Sequence, residues 1–116
     1  MNPTLLWKAG SAFVATGIIT GAFGAHALSG RLSPDSLASF RTASTYSILN
    51  GLGLLVISGH PRFSTHRFAG PSIALGTLLF SGSIFALTLD RNLKFLGPIT
   101  PLGGMLLISG YISMIF

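Results

Sequence analysis

Residues 5–28 read LLWKAGSAFVATGIITGAFGAHAL, a run whose ionisable side chains are Lys8 near its start and His26 near its end. As a helix rising 1.5 Å per residue it covers about 36 Å, enough to cross the ~30 Å hydrocarbon core of a bilayer. Lys8 lies close enough to the end to carry its ammonium back to the interface. A glycine and a charge, Ser29-Gly30-Arg31, stop the run. Within it Gly10, Gly17, Gly21 and Gly24 recur at spacings of seven, four and three, which places them on one helical face. In water each would cost about 1 kcal/mol relative to alanine. In a bilayer such glycines let backbones approach, and Gly17-x-x-x-Gly21 is a small-x-x-x-small contact.

Three further segments follow the same logic. Ser33-Pro34-Asp35 supplies an N-cap, a proline in the first turn and an acid beside it. The helix this opens runs to Gly59, before His60-Pro61. Its length of about 39 Å exceeds the apolar core, so its first two turns, through Arg41, belong in the headgroup region. A third segment from Gly70-Pro71 to Leu89 has no ionisable residue. A fourth opens at Thr100-Pro101 and continues to Phe116. It covers only about 24 Å, so either it is short or Phe95 to Pro98 also dips into the membrane. Small residues recur on these helices too: Ala43, Ser47 and Gly51, then Ser72, Gly76 and Ser83, then Gly103 and Gly110. The reading is one integral-membrane domain over residues 1–116. It is an all-α, up-down bundle of four transmembrane helices (5–28, 34–59, 71–89 and 100–116) packed through glycine-rich faces. Ala25-His26-Ala27 imitates the cleavage site of a secretory leader, but the apolar stretch before it is longer than a leader's core.

The composition agrees. Hydrophobic residues make up 49% of the chain and charged residues 8%, and mean hydropathy is +0.71. A water-soluble domain carries about a quarter charged residues. The net charge of +5 rests on too few charged groups for a nucleic-acid-binding face, and none is expected. Without cysteine there is no disulfide, thiolate metal site or cysteine nucleophile. The termini side holds Lys8, Arg62 and Arg67 and the opposite side Arg31, Arg41, Arg91 and Lys94, a balance too even to orient the protein.

Folding the segments up and down gathers His26, Arg41, Asp90 and Thr100 at one membrane face, where His26 could pair with Asp90. An ionisable group at the end of an apolar helix is uncommon and often functional. His60 and His66 fall at the other face, so no metal site is expected. Mid-membrane, Tyr46 and Asn50 stand one turn apart, with Thr16 and Thr20 expected opposite them as interhelical hydrogen-bond partners. Ser81 and Ser83 have no base within helical reach, and serines in membranes usually bond back to their own helix. No cofactor motif and no catalytic set is present, and no enzyme activity is expected.

Gly21-Ala22-Phe23-Gly24-Ala25-His26-Ala27-Leu28 resembles the signature of a family of small four-span membrane proteins of unknown function. That family includes bacterial YgdD-type inner-membrane proteins and eukaryotic transmembrane protein 256. The resemblance continues through Phe40-x-Thr42-Ala43-x-x-Tyr46, Phe80-Ser81-Gly82-Ser83 and Gly97-Pro98-Ile99-Thr100-Pro101-Leu102-Gly103-Gly104. Where the family has a His-Ala pair four residues after the tyrosine, this chain has Asn50-Gly51. The resemblance implies a multi-pass helical fold and supplies no reaction, substrate or established site.

Glycine-faced helices without a catalytic set point to a structural or accessory bundle, its partners the lipid bilayer and either further copies of itself or a larger membrane complex. The alternative is a small oligomeric transporter or channel. Such exporters usually carry a carboxylate within the bilayer, whereas Asp35 and Asp90 both sit at segment ends. A bacterial chain of this kind would lie in the plasma membrane and a eukaryotic one in mitochondria. With its charges confined to loops and helix ends, the protein should remain in the pellet after alkaline carbonate and leave only with detergent. Release by carbonate alone would contradict the spanning helices.

Overall fold

A computed structural model describes residues 2–116, Ala25 by its backbone. Four helices account for most of the chain: α1 (Pro3–Ala27), α2 (Pro34–Ser58), α3 (Ala69–Leu89) and α4 (Ile99–Ser113). Single 3-10 turns at Phe63–Thr65 and Lys94–Leu96 precede α3 and α4, and the described residues contain no strand. The first two helices open on local chemistry. Asn2 Oδ1 accepts from the Leu5 amide at 2.8 Å with Pro3 in the first turn, and Ser33 Oγ accepts from the Ser36 amide at 3.2 Å with Pro34 following. Each satisfies an amide that the helix itself leaves unpaired.

The later helices start differently from the sequence expectation. α4 begins at Ile99 behind Pro98, whose φ of -67° already suits a helix, and no side chain caps it. Thr100 is therefore inside the helix, and its hydroxyl reaches across to Ser83 Oγ on α3. α4 ends at Ser113 rather than Phe116, but the turn at Lys94–Leu96 prolongs it upstream. Lys94–Ser113 forms a 20-residue stretch long and apolar enough to cross a membrane, and Phe95 to Pro98 lies within it.

Successive helices are antiparallel neighbours, so the chain forms a row α1–α2–α3–α4. The backbones of α1 and α4, at the ends of that row, do not approach each other among the described residues. The protein measures 46 × 26 × 19 Å, longer in one lateral direction than the other. Near the termini the start of α3 also meets α1, where Leu6 lies against Gly70. α1 and α3 therefore run parallel, and the chain between them has to recross. α1, α3 and Lys94–Ser113 are each long and apolar enough to span a bilayer, while α2, which makes that return, is less apolar.

Burial is inverted relative to a water-soluble bundle. Ile19 is 65% exposed, Val56 72% and Met105 64%, whereas Ser47, Asn50 and Thr77 are almost fully enclosed. Apolar side chains turned outward and hydroxyls turned inward are what hydrocarbon demands of a helix bundle. Leu6, Leu54, Ile57, Ile73, Ala74 and Leu107 form an apolar cluster in the half nearer the termini. In the other half Phe40 stands edge-on to Phe85 with ring centroids 5.1 Å apart.

Glycine sets how close the helices come. A β-carbon on Gly10 would stand 2.6 Å from the Gly51 carbonyl oxygen, and one on Gly17 2.7 Å from the Ser44 carbonyl oxygen. On Gly24 it would meet the Phe40 ring at 2.8 Å. Between α3 and α4 the same intimacy holds at Gly76 and Gly103, and a β-carbon on Gly110 would lie 2.9 Å from Ile73. Gly21 differs from its neighbours on the stripe: its nearest contact would be Ser44 Cβ at 3.8 Å, ordinary van der Waals distance. Gly17→Ala should therefore lower the melting temperature in detergent, at a cost of about 1–3 kcal/mol for overpacking. Gly21→Ala should leave it nearly unchanged. Equal loss at both positions, read by thermal unfolding, would mean that α1 is rotated from the face described here.

Candidate functional site

Enclosed polar side chains lie on α2 (Ser44, Ser47, Asn50) and on α3 (Ser72, Thr77, Ser81, Ser83), and hydrogen bonds tie α2 to all three other helices. Ser47 Oγ donates to the Phe13 carbonyl of α1 at 2.7 Å, and Ser44 Oγ pairs with Thr20 Oγ1 at 2.9 Å. From α3, Ser81 Oγ donates to the Ala43 carbonyl at 2.9 Å. From α4, the Tyr111 hydroxyl donates to Asn50 Oδ1 at 2.8 Å and lies against Gly53. The Asn50 side chain is buried, and its Nδ2 has no hydrogen-bond partner among the described residues.

This distribution differs from the expected pairing of Tyr46 and Asn50 with Thr16 and Thr20. Thr20 meets Ser44 instead, Tyr46 stands edge-on to Phe80 at 5.3 Å, and Asn50 turns to α4. Thr16 faces outward and offers only its carbonyl, to Thr20. The reason is helical phase. Gly51 and Ser44 mark the α1-facing side of α2, and at about 100° per residue Tyr46 and Asn50 fall roughly 100–160° away from it. Ser81 also departs from expectation, since it bonds across to another helix. The sequence signal for it was the spacing of small residues: a neighbour close enough to touch brings its carbonyls within reach of a serine hydroxyl.

His26, Arg41, Asp90 and Thr100 share one end of the bundle, as the Gly24–Phe40, Ser83–Thr100 and Ser36–Arg91 contacts at that end require. They do not converge. His26 and Arg41 are exposed, and Asp90 Oδ1 accepts from the Asn92 amide at 3.0 Å rather than meeting His26. Phe40 explains the separation, because it sits against both Gly24 of α1 and Phe85 of α3 and holds those helices apart at this end. What the end does contain is a cleft of about 400 Å³ between the start of α2 and the end of α3. Asp35, Ser39, Arg91 and Lys94 rim it, and Ile84 and Leu87 form its apolar wall. Arg91 reaches into it to donate to the Ser36 hydroxyl. Neither the cleft nor Arg91 and Lys94 as a pair was singled out by sequence, because Arg91 and Ser36 lie 55 positions apart.

At the opposite end the two histidines have backbone roles. His60 Nδ1 accepts from the amides of Arg62 and Phe63, each at 3.1 Å. His66 Nδ1 accepts from Phe68 and Ala69 at 3.2 and 3.0 Å, serving the start of α3 from outside the helix. An Nδ1 that accepts leaves the ring proton on Nε2. No group of three His, Asp or Glu side chains suited to a metal occurs among the described residues.

Residues 20–104 match the family described as "Protein of unknown function (DUF423)", a range that takes in all of α2 and α3. A UPF0382 membrane protein of Schizosaccharomyces pombe is 37% identical over 108 residues, covering 86% of this chain and 92% of its own. One from Staphylococcus aureus (strain bovine RF122 / ET3-1) is 44% identical over 108 residues, covering 90% and 85%. Another, from Staphylococcus epidermidis, is 40% identical over 118 residues, covering 99% and 93%. No solved structure matches. The inside-out bundle and these relatives agree, and the chain belongs to the DUF423 / UPF0382 family of small multi-pass membrane proteins of unknown function.

Proposed function

We propose that the chain works without catalysis, as an accessory helical bundle that joins a second copy of itself or a larger membrane assembly through the outward face of α2. One observation carries this reading. Thr42, Thr45 and Tyr46 are exposed on that face, in the helix that is the least suited of the four to lipid. Thr42 turns its hydroxyl back to the Ala38 carbonyl at 3.0 Å. The other two hydroxyls have no such internal partner among the described residues. Ala38 and Thr42 lie at small-x-x-x-small spacing on the same strip, which allows a further helix to come close. A bacterial member would act in the plasma membrane and a eukaryotic one in a mitochondrial membrane, which fractionation of the source cell tests.

The unpartnered amide of Asn50 favours a second reading, a small oligomeric transporter or channel in which that group meets a passing solute. Flux in proteoliposomes that is lost on Asn50→Leu would support it. For the accessory reading, a photo-crosslinking amino acid is placed at Thr45 or, as a control, at Ile19, and activated in native membranes. Thr45 should give a protein adduct of one discrete mass, at twice the chain or with one fixed partner, and Ile19 should give lipid adducts. Thr45→Leu should weaken the assembly on size-exclusion chromatography while leaving the melting temperature of the single chain intact. Lipid adducts alone at Thr45 would overturn the reading.

A further inference from the structure

The cleft between α2 and α3 lies where the helices meet the headgroup layer. Asp35 is in the first turn of α2, and Leu87 and Thr88 are in the last turn of α3. Its walls change character with depth. Ile84 and Leu87 continue along α3 toward the hydrocarbon, while Arg91 and Lys94 stand beyond the helix end. Thr88 contributes little polarity, because its hydroxyl donates back to Ile84 and Phe85 carbonyls at 2.9 and 3.0 Å. A volume of about 400 Å³ falls within the ~300–1,000 Å³ range of small-molecule sites. Basic clefts between membrane helices at this depth suit lipid phosphates.

We propose that this cleft binds the phosphodiester of an anionic glycerophospholipid with a hydroxyl-bearing headgroup. Arg91 and Lys94 hold the phosphate, Asp35 accepts from the headgroup hydroxyls, and one acyl chain lies along Ile84 and Leu87. Charge selects this class. Two cations face one carboxylate, so the cleft carries a single surplus positive charge that a singly charged diester neutralises. A phosphomonoester would place a second negative charge against Asp35. An ammonium headgroup could satisfy Asp35, but such a lipid is neutral and leaves the surplus charge unopposed. Arg91 is aimed in advance, because the Ser36 hydroxyl fixes its guanidinium at the wall, and a fixed donor loses less freedom on binding.

The test uses the full chain and native mass spectrometry. The protein is extracted with equal amounts of phosphatidylglycerol, phosphatidylethanolamine and phosphatidylcholine of matched acyl chains. Phosphatidylglycerol should be retained preferentially, and excess soluble glycerophosphoglycerol, the same diester without acyl chains, should not displace it. Each cation near an anionic group contributes about fivefold to binding. Lys94→Gln should therefore weaken retention by roughly that factor, and Arg91→Gln with Lys94→Gln by more. Lys94 is exposed, so its single variant keeps the test valid should the Arg91 change disturb folding. Asp35→Asn keeps an acceptor oxygen for the headgroup hydroxyls and removes the like charge, so it should strengthen phosphatidylglycerol retention, while Arg62→Gln with Arg67→Gln at the opposite end should change nothing. Equal retention of the three lipids would overturn the proposal. So would an equal loss in the Arg62/Arg67 variant, or retention of phosphatidylethanolamine that falls in Asp35→Asn. Displacement by glycerophosphoglycerol would overturn the lipid assignment in favour of a soluble diester.

Discussion

A helix too polar to face lipid has to be surrounded by other helices, and in this protein that helix is α2. It carries Ser44, Ser47 and Asn50 through the middle of the membrane, and all three are buried. An unsatisfied polar group in hydrocarbon costs several kcal/mol, so the position of α2 dictates the positions of the rest. α1 covers one side, α3 another, and Tyr111 of α4 reaches over to Asn50. The outward strip through Thr42 and Thr45, with Tyr46 at its edge against Phe80 of α3, is the part that the other helices leave open.

Enclosure and close approach are one requirement met by one kind of residue. Where glycine brings α1 onto α2 at Gly10 and Gly17, the Phe13 carbonyl comes within 2.7 Å of Ser47 Oγ. The α3–α4 pair repeats this, with Gly110 beside Ser72 and the Ser72 hydroxyl on the Leu106 carbonyl at 2.6 Å. Interhelical hydrogen bonds in membranes average only about 0.6 kcal/mol each. They fix register more than they supply stability, and the van der Waals contact of the backbones carries the larger share. The inserted β-carbon at Gly17 is therefore more damaging than the loss of any one hydroxyl.

The number of helices and their type were legible in the sequence because both follow from apolar run lengths and from Ser33-Pro34 as a start, whereas the Asn2-Pro3 start of α1 was passed over. The glycine stripe of α1 was legible as well, since a period near 3.6 puts Gly10, Gly17 and Gly24 on one side. Rotation was not legible. Which face of α2 meets which neighbour depends on how three helices share it, and the spacing of Tyr46 and Asn50 is compatible with any of them. The start of α4 was misread because Thr100-Pro101 has the local form of a cap, whereas the Thr100 hydroxyl is used by Ser83 on another helix. The headgroup cleft was invisible for the same reason: Ser36 and Arg91 belong to one site only after α2 and α3 are set side by side.

Cysteine pairs test the placement of α2 most directly, since the chain has no native cysteine to confuse the result. Gly24 and Phe40 touch at one end of the bundle and Leu6 and Gly70 at the other. Cysteines at Gly24 with Phe40, and separately at Leu6 with Gly70, should cross-link within one chain in native membranes with a short reagent. Leu6 with Phe40 should not, because about 30 Å of bilayer core lies between the two ends. Cross-linking of Leu6 to Phe40 without the other two pairs would mean that α2 does not recross the membrane beside α1, and the bundle described would be wrong.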